Sequence, residues 1–157
     1  GIAAYGYYPN PIIAQYMQSK YPDFTGLKPV MELCSKISQI KTIEKGQPVS
    51  YGRTWVSESN TTIATIPMGY ADGLHRSFSP GICVSINGKK YPIIGRICMD
   101  QCMADLGNDD SINEGDTVIF FGPNSNCLTA DDFAAAAKTI SYEVLTSIGQ
   151  RVKRIYV

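Results

Sequence analysis

The chain has 157 residues, of which 44% are apolar and 18% are charged, so its composition is that of a globular domain and not of a disordered segment. Lysine plus arginine balance aspartate plus glutamate at 14 each, which argues against a protein whose main task is to hold a nucleic-acid backbone. No apolar run reaches the roughly 20 residues that cross a bilayer.

The cysteines are odd in number and irregularly spaced, which does not favour a disulfide framework. They are Cys34, Cys83, Cys98, Cys102 and Cys127. The close pair Cys98 and Cys102 would need two more ligands to hold zinc, and the chain has one histidine, His75. We therefore predict buried, reduced thiols, no metal site and a cytoplasmic location.

The first 26 residues differ in character from the rest of the chain. They contain several prolines and glycines and one helical stretch around residues 12–19. The chain lacks an initiator methionine and opens with "GIAAYG", in the middle of a pattern. We therefore interpret residues 1–26 as a connector from a missing upstream domain, and residues 27–157 as the domain proper.

Strand patterns dominate the middle of the chain. The stretch "VMELCSKISQIKTI" alternates imperfectly, so a helix there stays open. In "TTIATIPMGY", Pro67 marks a strand end or an edge strand. Asn87-Gly88 between "GICVSI" and "KKYPII" predicts a hairpin with a type I′ turn. "GRICMDQCMADL" and "GDTVIFFG" are further strand candidates.

The last thirty residues change to helical patterns. Thr129 followed by Asp132 is a capping-box start that leads into a run of alanines. "SYEVLTSIG" predicts a second short helix that ends at Gly149, and "RVKRIYV" alternates as a final strand would. The predicted fold is mainly β, a small barrel-like domain with one or two short helices near the C-terminus.

Local sequence alone does not single out a catalytic residue. Tyr51 in "SYG" and Tyr70 in "GYADG" read first as strand-end aromatics, with the ring in the core and the hydroxyl in water. Arg76 and Arg96 are compatible with surface charge. No catalytic triad, P-loop or dinucleotide-binding motif is present.

Four blocks taken in series are more specific than any one of them. They are "PVSYGRTW", "IATIPMGYADG", "YPIIGRICMDQ" and "TISYEVLTSIGQRVKRIY". In this order and at these separations they resemble the C-terminal domain of the alanine racemase family. "GIAAYG" resembles the end of that family's N-terminal barrel, so the resemblance covers nearly the whole chain.

The resemblance implies a larger enzyme. Family members carry pyridoxal 5′-phosphate (PLP) on a lysine of an N-terminal (β/α)₈ barrel, and they interconvert L- and D-alanine to supply peptidoglycan synthesis. Two subunits pair head to tail, and the C-terminal domain of one completes the active site of the other. The present chain would then contribute in trans to a site in the barrel of its homodimer partner.

The resemblance also assigns roles to residues. Tyr51 matches the family's tyrosine base, which moves a proton on the face of the substrate opposite the lysine. An unperturbed tyrosine is almost fully protonated at neutral pH, so the family assists it with a histidine of the barrel. Tyr70 matches a residue that narrows the site, and the backbone N–H of Met99 matches a donor to the substrate carboxylate.

The remaining matches line the way into the site. Arg76 and Arg96 correspond to corridor arginines whose charge would attract a carboxylate. Asp100 lies in the same loop as Met99, and Ile140 lies on the corridor. Tyr142 matches a tyrosine whose hydroxyl reaches the phosphate of PLP.

Three alternatives stay open from the sequence. A serine or broad-specificity racemase, membrane-anchored in its resistance form, would have a pocket altered near the "SYE" tyrosine, and Tyr142 is retained here. A non-catalytic β-domain for binding or assembly would tolerate loss of the Tyr51 hydroxyl. An oligonucleotide-binding barrel is disfavoured by the zero net charge. Because the barrel lysine and histidine are missing, we expect the isolated chain to be inactive.

Overall fold

A computed structural model describes residues 1–124 and 126–157, and the described residues form nine strands and three α-helices. The strands are β1 (Leu33–Lys36), β2 (Gln39–Ile43), β3 (Pro48–Val49), β4 (Trp55–Val56), β5 (Thr61–Ile66), β6 (Cys83–Ile86), β7 (Lys89–Ile94), β8 (Cys102–Gly107) and β9 (Thr117–Phe121). The helices are α1 (Pro11–Lys20), α2 (Ala130–Ala137) and α3 (Ser141–Ser147). Short 3₁₀ turns cover Ile2–Tyr5, Tyr51–Arg53, Tyr70–Asp72 and Arg76–Phe78.

Seven strands make one antiparallel sheet that curls on itself. Its order is β1-β9-β6-β7-β8-β5-β2, so β1 and β2 lie at opposite ends of the order. Only Ile37 and Ser38 separate these two strands, so Lys36 and Gln39 can lie at most about 11 Å apart. The Ile37 N–H donates to the Asp116 carbonyl and the Ser38 N–H to the Thr65 carbonyl, at 3.0 and 2.9 Å. The two ends of the sheet must therefore meet, which confirms the predicted barrel-like fold.

The inside of the curl is filled by aromatic and aliphatic side chains. Phe133 of α2 is fully buried and meets Phe78 and Phe121 edge to face, with ring centroids 5.1 and 5.4 Å apart. Edge-to-face pairs of this kind are worth about 0.5–1.5 kcal/mol beyond the burial of their area. The packing fixes α2 against β9 and the 3₁₀ turn Arg76–Phe78, and α3 follows directly.

Several local predictions are confirmed. Asn87 and Gly88 have φ angles of 49° and 79°, as a type I′ turn requires, and they join β6 to β7. Thr129 and Asp132 form the predicted capping box at the start of α2. The stretch at residues 30–43 is β1 and β2 and contains no helix. Pro67 follows the last residue of β5, which pairs with β8 on one side and β2 on the other, so Pro67 marks a strand end and not an edge strand.

Other predictions were wrong. The final stretch "RVKRIYV" is not a strand and pairs with none of the described strands. Arg154 instead donates to backbone carbonyls, among them those of Ile148 and Val152 at 2.6 and 2.7 Å. The strand predicted from Gly95 begins only at Cys102. The second short helix predicted in "SYEVLTSIG" is, in contrast, present as α3, and its C-cap Ile148 directly precedes Gly149.

The cysteines of the described residues are free, as predicted, although not all are buried. Cys34 is exposed and Cys83 is half-buried. Burial, helped by the neighbouring Cys98, raises the pKa of the Cys102 thiol well above its ordinary value. A thiol that stays protonated in this way is a poor nucleophile and a poor metal ligand.

Candidate functional site

Tyr51 stands at the tip of a two-stranded hairpin and points out of the protein. It follows β3 and opens the 3₁₀ turn Tyr51–Arg53. Its neighbours Ser50, Gly52 and Arg53 have φ angles of 68°, 73° and 52°. The backbone on both sides of Tyr51 is thus in the left-handed region, and this tight turn directs the Tyr51 side chain outward. Tyr51 is 70% exposed. The reading of Tyr51 as an aromatic packed into the core is therefore wrong.

A small second hydrophobic cluster holds this hairpin in place. Val49 and Trp55, which pair across β3 and β4, pack against it. Its buried members are Ile43, Ile63, Ile94, Cys98 and Met103. Their immediate neighbours along β5, β7 and β8 belong to the main core, so this cluster lies on the opposite face of the sheet. The tyrosine turn is thus seated on a rigid sheet and not on a free loop.

The loop of residues 95–101 packs against the hairpin. The Ser50 hydroxyl donates to the Arg96 carbonyl at 2.5 Å and lies 3.6 Å from the Cys98 sulfur. The Arg96 guanidinium lies on the backbone of Gly52, where an added Cβ would stand 3.2 Å from the guanidinium carbon. These contacts place an exposed arginine directly beside the turn that carries Tyr51.

The same loop is clamped on its other side by residues 69–73. The Tyr70 N–H donates to the Cys98 carbonyl and the Ala71 N–H to the Met99 carbonyl, both at 3.0 Å. The backbones approach so closely that a Cβ on Gly69 would lie 2.3 Å from the Met99 carbonyl oxygen. Tyr70, Met99 and Asp100 are exposed on the joint surface of the two loops.

This clamp fixes the direction of the Met99 amide. The Cys98 carbonyl and the Met99 N–H belong to one planar trans peptide, in which they point in opposite directions. Because the carbonyl points at the Tyr70 amide, the Met99 N–H points away from residues 69–71. No acceptor for this N–H occurs among the residues that the structure describes. A free, oriented donor of this kind can bind a carboxylate.

An ion-pair bridge joins the two loops to the residues that follow α3. Arg151 Nε lies 3.3 Å from Asp72 Oδ1, and Arg151 Nη2 lies 2.7 Å from Asp100 Oδ1. The hydrogen bond to Asp100, with the charge of Asp72, raises the pKa of Arg151. Asp72 also accepts the Gly69 N–H at 2.9 Å. No role was assigned to Arg151 from the sequence, and its position in the fourth family block was the available signal.

Arg76 lies near the same loop. It opens the 3₁₀ turn Arg76–Phe78, and the next residue, Ser79, donates its hydroxyl to the Gly95 carbonyl at 2.5 Å. Arg76 is exposed. The structure therefore brings six predicted site residues into one neighbourhood: Tyr51, Tyr70, Arg76, Arg96, Met99 and Asp100.

Ile140 and Tyr142 form a second group. They lie at the N-terminal end of α3, whose other end packs on Gly73 through a 3.1 Å bond from the Ser147 hydroxyl. A helix of this length separates its ends by about 10 Å. Both residues line a cavity of about 500 Å³ between α2, α3 and the first residues of the chain. Tyr51 does not line this cavity.

The cavity fits a single contact to a phosphate and not a complete phosphate site. Tyr142 brings a hydroxyl that could donate to a phosphate oxygen. The residues that line the cavity include Asp131 and no lysine or arginine. Across the described ranges, no cluster of histidine, cysteine and acidic residues is suited to a metal ion. No helix there is long and apolar enough to cross a membrane.

Comparisons with known proteins give one consistent result. Residues 30–156 match the family described as "Alanine racemase, C-terminal domain". The alanine racemases of Cutibacterium acnes and Treponema denticola are 44% and 47% identical to this chain; each match covers 100% of it and 40% of the relative. The alanine racemase from Streptomyces coelicolor superposes with a TM-score of 0.89 at 42% identity, over 100% of this chain and 39% of that one. The chain thus spans about 40% of the length of these relatives.

Proposed function

The chain belongs to the alanine racemase C-terminal domain family, and from this premise we propose that it is part of a PLP-dependent enzyme that interconverts L- and D-alanine. Its own contribution is a proton-transfer residue and a carboxylate-binding loop. The observation that carries the proposal is the interlocking of the Tyr51 hairpin with residues 95–101, which puts an exposed phenol beside an arginine and a free backbone donor.

Racemisation requires a proton to leave the α-carbon on one face and a proton to return on the other. Tyr51 is suited to one of these transfers because its hydroxyl is exposed and its backbone is held by packing on a rigid sheet. The second transfer belongs to a group outside this chain. The family resemblance supplies that group as the barrel lysine, and it supplies a barrel histidine that assists the phenol.

The substrate carboxylate is assigned to the loop of residues 95–101. The Met99 N–H is oriented and free among the described residues, and Arg96 and Arg76 add positive charge nearby. Tyr70, held by its own backbone bond to the same loop, is placed to limit the space left for a side chain on the substrate. Together these residues bind and orient an amino acid, while Tyr51 moves the proton.

PLP, when bound, would make the α-proton acidic by drawing electrons from the α-carbon. This chain fits that cofactor at one point, through the Tyr142 hydroxyl toward the phosphate, with Ile140 beside it. Lysines and arginines are lacking from the cavity that Tyr142 lines. The cofactor is therefore assigned to the upstream barrel, and the chain alone is expected to bind it weakly.

The two groups of site residues suit a head-to-tail homodimer. Residues 69–73 lie at one end of α3 and hold the loop of residues 95–101, which in turn holds the Tyr51 hairpin; Ile140 and Tyr142 lie at the other end of α3. We assign the first group to the active site of the partner's barrel and the second to the site of the chain's own barrel. One domain would then serve two sites, which makes each site depend on both subunits.

We further propose that residues 1–26 connect this domain to the barrel. Helix α1 has no buried residue, and Ile12, Ile13 and Tyr16 are exposed on it. Ile2 and Tyr7, in contrast, are buried in the core of the β-domain. The connector is thus anchored at its start, and α1 offers an apolar surface to the rest of the protein.

The direct test is racemisation by the full-length protein, assayed from both enantiomers of alanine and of serine. We expect alanine to be preferred in both directions, because Tyr70 and Tyr142 leave little room for a larger side chain, and we expect activity to fall when PLP is removed and to return when it is restored. Faster turnover of serine than of alanine would mean that the full-length protein is a serine racemase. No turnover of either amino acid would leave a non-catalytic domain.

A further inference from the structure

We propose that Arg151 is a positioning residue for the carboxylate-binding loop: it neutralises the Asp100 carboxylate and holds it on the side of Asp72, away from the Met99 N–H. This inference rests on the proposed function, because it presumes that the loop receives an anionic substrate. It concerns a residue to which neither the sequence patterns nor the family blocks assigned a role.

The geometry separates the two sides of the loop. Arg151 contacts Asp72 and Asp100 at once, so the Asp100 carboxylate must lie on the side of residues 69–73. The Met99 N–H points to the opposite side. It shares a peptide plane with the Cys98 carbonyl, and that carbonyl faces residues 69–73 because it accepts the Tyr70 N–H. The loop therefore shows a donor to one side and keeps its negative charge on the other.

The bridge is anchored at its Asp72 end. The Asp72 side chain is 12% exposed and also accepts the Gly69 N–H, and the Asp72 carbonyl accepts the Gly149 N–H at 2.9 Å. The Arg151 and Asp100 side chains are 55% and 57% exposed. Exposed ion pairs add little to stability. The main effect of the Arg151–Asp100 pair is therefore to fix the position of the Asp100 charge.

Charge explains why this placement matters. Asp100 directly follows Met99, so an unpaired carboxylate at this position would stand close to the donor that meets the substrate. Two like charges a few ångströms apart repel, and an anionic substrate would bind more weakly. Arg151 cancels this charge and leaves the positive field of Arg96 and Arg76 in effect.

The test uses four variants of the full-length protein. Arg151→Met should raise KM for alanine about tenfold, with a smaller effect on kcat, because it leaves Asp100 unpaired beside the substrate carboxylate. Adding Asp100→Asn to Arg151→Met should recover most of that loss, since the repelling charge is then gone. Arg151→Lys keeps the positive charge, but its single ammonium group contacts both carboxylates less well than the guanidinium does. Its KM should therefore fall between those of the wild type and Arg151→Met.

Arg154→Met is the matched control. Arg154 lies in the same segment and donates to the carbonyls of Ile148 and Val152, but it contacts neither Asp72 nor Asp100. Its loss should leave KM within about twofold of the wild-type value, because it touches backbone only. A KM increase equal to that of Arg151→Met would show that loosening the segment is the cause, and would overturn the inference.

A binding measurement separates this inference from the proposed function. Acetate is titrated into the full-length protein labelled with [¹⁵N]methionine, and the Met99 amide signal is assigned by its loss in Met99→Leu. Acetate should shift that signal in the wild type, more weakly in Arg151→Met, and again strongly in the double variant. The inference fails if acetate shifts the Met99 signal of Arg151→Met as strongly as that of the wild type. It also fails if the shift in the double variant is no larger than in Arg151→Met. Absence of racemisation by the wild type would instead overturn the proposed function.

Discussion

In the full-length protein, Tyr51→Phe is expected to lower kcat for alanine racemisation by about 10²–10⁴-fold, the range that a positioned acid or base contributes. Phenylalanine keeps the ring and removes only the hydroxyl. Because Tyr51 is 70% exposed and its hydroxyl bonds to no other described residue, the substitution should leave the fold and the carboxylate-binding loop intact. KM should therefore change much less than kcat.

The measurement follows racemisation from each enantiomer, with thermal unfolding as a check on folding. Tyr156→Phe is the matched control, because Tyr156 is 91% exposed and lies in the C-terminal tail, outside every loop of the site. Its rates should equal those of the wild type. Unchanged rates for Tyr51→Phe in both directions would mean that Tyr51 moves no proton, and would favour a structural role for this domain.

Gly73→Ala is expected to give the largest loss of stability among the loop residues, about 2–6 kcal/mol. Gly73 has a φ of 105°, which strains any other residue, and a Cβ there would lie 2.3 Å from the Ser147 carbonyl oxygen. The substitution must push α3 away from the turn that carries Tyr70. Since α3 also leads to Arg151, kcat/KM for alanine should fall together with stability.

Two other glycines separate the causes. A Cβ on Gly69 would meet the Met99 carbonyl oxygen at 2.3 Å, but its φ of −144° suits any residue, so Gly69→Ala isolates the clash. Gly46 has a φ of 85° and open space around it, so Gly46→Ala isolates the backbone strain. By denaturant unfolding of the full-length protein, Gly73→Ala should be the least stable of the three. A loss no greater than that of Gly46→Ala would show that α3 and the turn are not tightly coupled.

The elements that local sequence predicted correctly are those whose cause is local. The hairpin turn at Asn87-Gly88 and the capping box at Thr129 each depend on residues within four positions of one another, so their patterns are visible in the sequence. The tail at residues 153–157 alternates like a strand but pairs with none of the described strands, and Arg154 instead donates to the carbonyls of Ile148 and Val152. Whether this tail becomes a strand depends on the rest of the sheet, and the alternation of apolar and polar residues in the tail carries no information about that.

The candidate site was beyond local reasoning for the same physical reason. The exposure of Tyr51 follows from positive φ angles on both sides of it and from the packing of Val49 and Trp55 on distant strands. The partnership of Arg151 with Asp72 and Asp100 joins segments far apart in the chain. Tyr51 and Met99 were identified by the resemblance to the family. The structure adds the contacts that aim the Met99 amide.

The most direct test of the central claim, that this domain supplies its tyrosine to the active site of the other subunit, is a mixed-dimer experiment. Tyr51→Phe subunits are combined with subunits that lack the lysine proposed to carry PLP in the barrel. Each variant is expected to be inactive alone, and racemase activity is measured after the subunits have exchanged. If Tyr51 acts in trans, each mixed dimer has one intact site, and a random one-to-one mixture should regain roughly one quarter of wild-type activity. If the mixture stays inactive although mixed dimers form, Tyr51 does not act in the site of the other subunit, contrary to the proposed arrangement.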